Sequence, residues 1–333
     1  MKILITGGAG FIGTNLIPKL LDDGHECIVI DNMSHGTYVP QIHDRVVFYQ
    51  VDCRDADSIN TIVESHKPDA TFMFHGLVSI YDCHQQPQFA IENNLIGSAN
   101  LFDALVKHNC PRVIFAETSA VYENNELPID GYSEETSDPT TMYAVTKAAL
   151  VLMARSYART RGLKFTALRY FNVAGAMQDF RRTVPPLFAG FALRMMGGND
   201  PIIFGNGHRR RDFIHVDDIN DFHLQCLTDD RTINQTFNLG RGESHSLYEI
   251  GDMVARILGI KEFKYSLMPE INGEAFEIRA NISKAKALGW IPKKSIYTAL
   301  EDTIIYLREE IAKGNIDPKT FMNSVKIESV KIG

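Results

Sequence analysis

Short apolar runs alternate with amphipathic stretches along the first half of the chain. Residues 3–5 are apolar and end in a glycine turn, and residues 11–23 follow with helical spacing. The unit then repeats. Apolar runs at 27–30, 46–51, 71–74, 113–115 and 165–170 read as buried strands, and stretches at 56–66, 88–108 and 140–162 read as helices. Continuous apolar strands separated by helices predict βαβ units around a parallel sheet. The expected fold class is therefore α/β with a doubly wound parallel sheet.

After residue 171 the pattern loosens. Pro185-Pro186, the Gly197-Gly198-Asn199-Asp200-Pro201 run and Gly205-Asn206-Gly207 punctuate it with loops. Helices are expected at 186–196, 217–227, 246–258 and 296–313. This describes a smaller α/β domain, rich in loops, part of whose chain returns to the first sheet. Residues 1–170 with about 213–240 are expected to form the sheet domain. Residues 171–212 and 241–313 are expected to form the smaller one, and 314–333 a C-terminal tail. A cleft between two such domains is a favoured place for a ligand.

Composition narrows the classes. The 333 residues are 44% hydrophobic and 23% charged, as in ordinary globular proteins. A net charge of −7 argues against a nucleic-acid partner. No apolar run approaches the roughly 20 residues of a membrane span. Met1–Thr6 leads straight into the strand-and-glycine pattern, so no signal peptide is expected. The five cysteines are odd in number, widely spaced and without a CxxC pair. They predict small thiols in a reducing cytoplasm, with no disulfide framework and no metal site.

The glycine turn carries the first candidate chemistry. Gly8, Gly10 and Gly13 fit G-x-G-x-x-G within TGGAGFIG at residues 6–13. Glycines there let the backbone approach a pyrophosphate, and the following helix presents free N–H groups and its positive dipole end. Asp31, 18 residues beyond Gly13, ends the next strand, where a carboxylate hydrogen-bonds ribose hydroxyls and repels a 2′-phosphate. Strand, glycine turn, helix and acid together predict NAD. Asp52, after the third strand, is placed to reach the adenine edge. A second pattern is Tyr143 and Lys147, four residues apart on one helix face. An ammonium and a cationic nicotinamide both favour the phenolate, which would let Tyr143 exchange a proton near neutrality. Thr118 lies at the end of the 113–115 strand region, where open α/β sheets bind ligands.

With these pieces the chain resembles the extended short-chain dehydrogenase/reductase family, and within it the NAD-dependent nucleotide-sugar epimerases and dehydratases. The resemblance rests on residues 6–13, Asp31-Asn32, Asp52, Asn93, residues 118–122, Tyr143 with Lys147, residues 169–175 and residues 211–216, in the family order. It implies a Rossmann-like NAD domain with a nucleotide-sugar-binding domain. At NAD it places Gly7, Gly10, Phe11, Ile12, Gly13, Asp31, Asn32, Asp52, Cys53, Asn93 and Tyr170, besides Tyr143 and Lys147. It makes Tyr143 the base and acid at the sugar 4-OH, Lys147 its tuner and Thr118 a proton relay. It places Ser119, Asn172, Arg211 and Ile278 at the substrate, with Asn172 and Arg211 on the diphosphate and Ile278 beside the C2 substituent. It also implies a homodimer, built from the helices near 88–108 and 140–160.

Within the family, 4,6-dehydratases carry an Asp-Glu pair after the position of Thr118, and UDP-glucuronate decarboxylases a glutamate at that of Ala120. Here Ser119 and Ala120 stand there. The expected reaction is therefore inversion of C4 in a UDP-hexose through a transient 4-keto sugar, with a dehydratase or 4-keto reductase as the alternative. Three departures stand out. Glu117 replaces a small or hydroxyl residue, and either contacts substrate or packs at the strand end. His75 lies near the expected nicotinamide and reads as a satisfied histidine rather than a second base. The family's second diphosphate arginine is missing, with Ile271 in its place, and Arg279 is the candidate substitute. Arg209 and Arg210 are expected on a solvated face.

Overall fold

A computed structural model describes residues 1–34, 43–123, 127–128, 130–135, 137–180, 185–269 and 275–321. Ile271 and its neighbours 270–274, and the tail from 322, lie outside the described residues. The first half runs β1 (Lys2–Thr6), α1 (Phe11–Asp22), β2 (Glu26–Ile30), β3 (Val47–Tyr49), α2 (Ala56–His66), β4 (Ala70–Met73), α3 (Ile80–Gln85), α4 (Pro87–Ile91), a π-helical turn Glu92–Ile96, α5 (Gly97–Lys107), β5 (Arg112–Thr118), α6 (Met142–Arg161) and β6 (Lys164–Tyr170). The second half runs β7 (Asn172–Ala174), α7 (Leu187–Met196), β8 (Ile202–Phe204), β9 (Arg210–Arg211), β10 (Phe213–His215), α8 (Val216–Thr228), β11 (Gln235–Leu239), β12 (His245–Ser246), α9 (Leu247–Leu258), β13 (Ser266–Met268), β14 (Glu277–Ile278), α10 (Ser283–Lys286), α11 (Ile296–Ala312) and α12 (Pro318–Phe321).

Seven strands form one parallel sheet in the order β11-β6-β5-β4-β1-β2-β3. The order reverses between β1 and β4, and a crevice opens there at the carboxyl ends of the strands. Apolar cores cover both faces: Leu16, Leu20 and Phe222 on one, Ile59, Leu101 and Phe165 on the other. The inner strands β1, β4 and β5 are buried on both sides, so their apolar residues run on without alternation. A third core, with Phe188, Leu193, Val254 and Leu307, gathers α7, α9 and α11 beyond the carboxyl edge. β9 joins β12 and β14 in a small sheet of its own, and β10 pairs with β7.

Two details differ from the sequence expectation. The 88–108 helix is interrupted by the π turn at Glu92–Ile96, which adds one residue to the helical repeat. Asn93 thereby reaches the crevice, while Asn94 is buried and bonds Leu77 and Thr146. Gly13, expected at the cofactor, does not line the crevice; a Cβ at this position would sit 2.5 Å from the Gly8 carbonyl oxygen. Gly13 lets α1 pack directly on the β1 turn, the third role of this glycine pattern. Gly13→Ala is expected to lower stability by about 1–3 kcal/mol through overpacking, read as a lower urea midpoint with an unchanged slope. An unchanged midpoint would show that α1 has room the structure denies it.

Candidate active site

One cleft of about 530 Å³ lies between the sheet edge and the third core. Its floor is the β1–α1 turn. Gly7 adopts φ +67°, and a Cβ there would meet the His75 amide nitrogen at 2.5 Å. α1 opens at Gly10 with no side-chain cap and no acidic residue in its first turn. The amides of Phe11 and Ile12 are thus left for an anionic ligand, and both residues line the cleft. Asp31, at the end of β2, accepts hydrogen bonds from the Ala9 and Met33 amides at 3.1 and 2.9 Å. Asp52 accepts from Asn32 Nδ2 at 2.9 Å and pairs with Arg54, whose guanidinium holds this carboxyl well below the usual range. Cys53 is buried beside it at the cleft wall. This donor cradle with an acid at the second strand fits a dinucleotide without a 2′-phosphate.

Thr118 ends β5, and its Oγ1 accepts the Ala120 amide at 3.1 Å, capping the short 3₁₀ turn Ser119–Tyr122. Thr141 caps α6 in the same way, so Tyr143 lies in that helix's first turn. Tyr143, Thr118 and Ser119 all line the cleft. Lys147, one turn further along α6, is buried, and its Nζ donates to the Ala116 carbonyl at 3.1 Å. Burial pulls the Lys147 ammonium down to about 8, and the charge of Glu117 acts against that fall. Gly76 passes close by at φ +150°, where a Cβ would lie 2.9 Å from Asn94 Oδ1 and 3.5 Å from Lys147 Nζ. Asn94 and Gly76 together fix how α6 approaches the cleft. The second asparagine of the 93–94 pair and the glycine after His75 were their only traces in the sequence.

The opposite wall comes from distant segments. Asn172 Nδ2 donates to the Asp212 carbonyl at 2.9 Å. Arg211 on β9 stands opposite Ile278 on β14 in register, and both line the cleft. Asp212 is buried and accepts the amides of Arg241, Gly242 and Ala280 at 2.8, 2.9 and 3.1 Å. It thereby clamps the strands that carry Arg211 and Ile278. Phe188 and Tyr306 close this end. They come from α7 and α11, and no local pattern singles them out.

The remaining residues singled out in the sequence have varied surroundings. Tyr170 lines the cleft, but its hydroxyl lies 2.6 Å from His223 Nε2. His75 is enclosed between Thr6 Oγ1 and Ser98 Oγ, at 2.7 and 3.3 Å from its ring nitrogens. Burial, with Lys147 adding to it, pulls the imidazole down to about 3, so it is neutral and serves the packing under Gly7. Arg279 does not line the cleft: Ile278 faces inward, its neighbour is turned away, and Arg279 Nε donates to Glu277. Arg209 is buried rather than solvated, and Arg210 bonds Ser244 and pairs with Glu249. Glu117 packs at the strand end in an ion pair with Arg169. All five cysteines are buried and free.

Fold and site define a dinucleotide-binding α/β protein that carries a Tyr–Lys pair at its cleft. The chain belongs to the NAD dependent epimerase/dehydratase family, whose pattern matches residues 3–240. It is 31% identical to a UDP-glucose 4-epimerase of Halalkalibacterium halodurans, over 91% of this chain and 93% of the relative. Among solved structures it is similar to the UDP-glucose 4-epimerase of Thermotoga maritima with UDP-glucose, at TM-score 0.88 and 32% identity, covering 93% of this chain and 100% of that one. The UDP-glucose 4-epimerase of Thermus thermophilus in complex with NAD is similar at TM-score 0.84 and 30% identity, covering 92% and 99%.

Proposed function

We propose that this protein is an NAD-dependent UDP-hexose 4-epimerase. The observation that carries the reading is the meeting of Tyr143, Lys147 and Thr118 with the glycine cradle in one cleft, while positions 119 and 120 offer a hydroxyl and a methyl group. Eliminating water or losing a carboxylate needs an acid at those positions in the relatives that do so. Inversion at C4 needs only a proton acceptor at the 4-OH and a hydride carrier. NAD held in the glycine cradle would supply that hydride carrier.

In this reading Tyr143 takes the 4-OH proton and later returns it. The Lys147 ammonium, fixed at Ala116, stabilises the phenolate and holds the nicotinamide ribose. Thr118 hydrogen-bonds the same hydroxyl. Phe11 and Ile12 offer amides to the pyrophosphate, and Asp31 accepts from the adenosine ribose. Asn172 and Arg211 hold the sugar diphosphate, the planar guanidinium suiting phosphate oxygens. Ile278 borders the C2 substituent, and Ser119 lies beside the sugar.

No helix among the described residues is long and apolar enough to cross a membrane. Five buried free thiols suit a reducing cytoplasm, where we place the protein. The dimer reading is supported by apolar side chains left in water on the two expected helices. Val145 and Leu152, seven residues apart on α6, are 41% and 65% exposed, and Ile91 and Ile96 are 40% and 48% exposed. Light scattering is expected to give twice the chain mass at micromolar concentration, and Leu152→Glu is expected to shift it toward the monomer. A monomeric wild type would overturn the dimer.

The activity test incubates the protein separately with UDP-glucose, UDP-N-acetylglucosamine and UDP-glucuronate, without added NAD. The C4 epimer of at least one is expected, resolved by anion exchange and NMR. Tyr143→Phe is expected to slow turnover by about 10²–10⁴-fold. A dehydrated or 4-keto product accumulating instead, or consumption of added NADH, would overturn the epimerase.

A further inference from the structure

Glu117 has no part in the reaction just described. It precedes Thr118 on β5, is fully buried, and stands opposite Arg169 of β6 in register. One carboxylate oxygen accepts Arg169 Nε, while Oε1 has no hydrogen-bond partner among the described residues. Arg169 Nη1 also donates to the Tyr122 hydroxyl at 2.8 Å and the Glu134 carbonyl at 3.0 Å. Tyr122 in turn donates to Asn238 Oδ1 at 2.8 Å. A carboxylate and a guanidinium withdrawn from water bring a large desolvation cost. A hydrogen-bonded apolar-rich strand end needs neither.

The groups around Lys147 suggest what the acid does. From β5 comes Glu117; from α3, Cys83; from the segment after β4, His75; from α6 itself, Tyr143. Burial pushes the Cys83 thiol up to about 11 and His75 is neutral, so neither balances the ammonium. Burial also pushes the Glu117 carboxyl up to about 7, with Arg169 and Lys147 acting against that rise. The Arg169 guanidinium bonded to Glu117 favours its ionised form, and Glu117 follows directly on the Ala116 carbonyl that holds Lys147 Nζ, and it lines the same cleft as Lys147.

We propose that Glu117 is a positioning residue whose buried carboxylate keeps the Lys147 ammonium charged beside Tyr143, while Arg169 holds that carboxylate in place. This rests on the assignment of Tyr143 and Lys147 as the proton-transfer pair. The acid supplies the countercharge that solvent cannot reach to provide. Its effect on the reaction passes through Lys147, and it exchanges no proton with the sugar.

The test titrates Lys147 directly by NMR in protein labelled at the lysine ε-carbon, with the resonance assigned by its loss in Lys147→Arg. In Glu117→Gln the midpoint is expected to fall by about one pH unit or more, the size of an adjacent opposite charge. The alkaline limb of kcat is expected to move down with it, with little change in KM. Glu117→Asp, which keeps the charge, should restore both. Because Glu117→Gln leaves a buried guanidinium unpaired, the double variant E117Q/R169Q is measured alongside and is expected to shift the midpoint in the same direction. An unchanged midpoint in either folded neutral variant, or a fall in Glu117→Asp as large as in Glu117→Gln, would overturn the proposal. The titration needs no substrate. A shifted midpoint in a protein that epimerises no UDP-hexose would leave the countercharge standing and reject the epimerase instead.

Discussion

An ammonium group buried at the carboxyl edge of a parallel sheet is the constraint on which this site depends. Lys147 has given up most of its water, and a charge so placed must find its partners in the fold. It finds the Ala116 carbonyl on β5, one residue beyond the last pairing with β4. Beside it runs Gly76, where a side chain would crowd Asn94 Oδ1. It is aimed by α6, which Thr141 caps and which Asn94 ties to Leu77 through Thr146. The helix that orients Lys147 also presents Tyr143 to the cleft, so one rigid element places both members of the pair.

The sheet supplies the rest of the geometry. Its order reverses between β1 and β4, so the connections diverge and leave a crevice that neither fills. The glycine turn after β1 forms one side of that crevice, with the uncapped start of α1 directed into it. The end of β5 forms the other side. Across the opening, Asp212 draws three backbone amides together and holds β9 and β14 side by side. The glycine turn and a wall bearing Asn172 and Arg211 are thereby brought to face each other across one cavity.

Much of this was legible in the sequence because it is written in local spacing. The β1–α1 glycines, Asp31 and the Tyr143–Lys147 pair each occupy a few consecutive residues whose geometry follows from one turn or one helix face. Even there the reading was coarse. Gly13 belongs to the glycine pattern, yet it packs against the β1 turn outside the cleft lining. What the spacing does not carry is tertiary. The π turn that separates Asn93 from Asn94 leaves no periodic trace. Phe188 and Tyr306 reach the cleft from α7 and α11 only because the third core folds over the sheet edge. Arg209 and Arg210 look like a solvated basic run, and only the partners from later segments show otherwise. Arg279 is excluded by strand alternation once Ile278 is known to face inward.

In the proposed reaction a hydride leaves C4 and returns to it within one bound complex, with Tyr143 handling only the hydroxyl proton. The most direct measurement follows a UDP-hexose deuterated at C4 through the reaction, with no cofactor added. The C4 epimer is expected to retain its deuterium at C4. Loss of the deuterium to water, or its replacement by hydrogen from NADH supplied in solution, would contradict the hydride return.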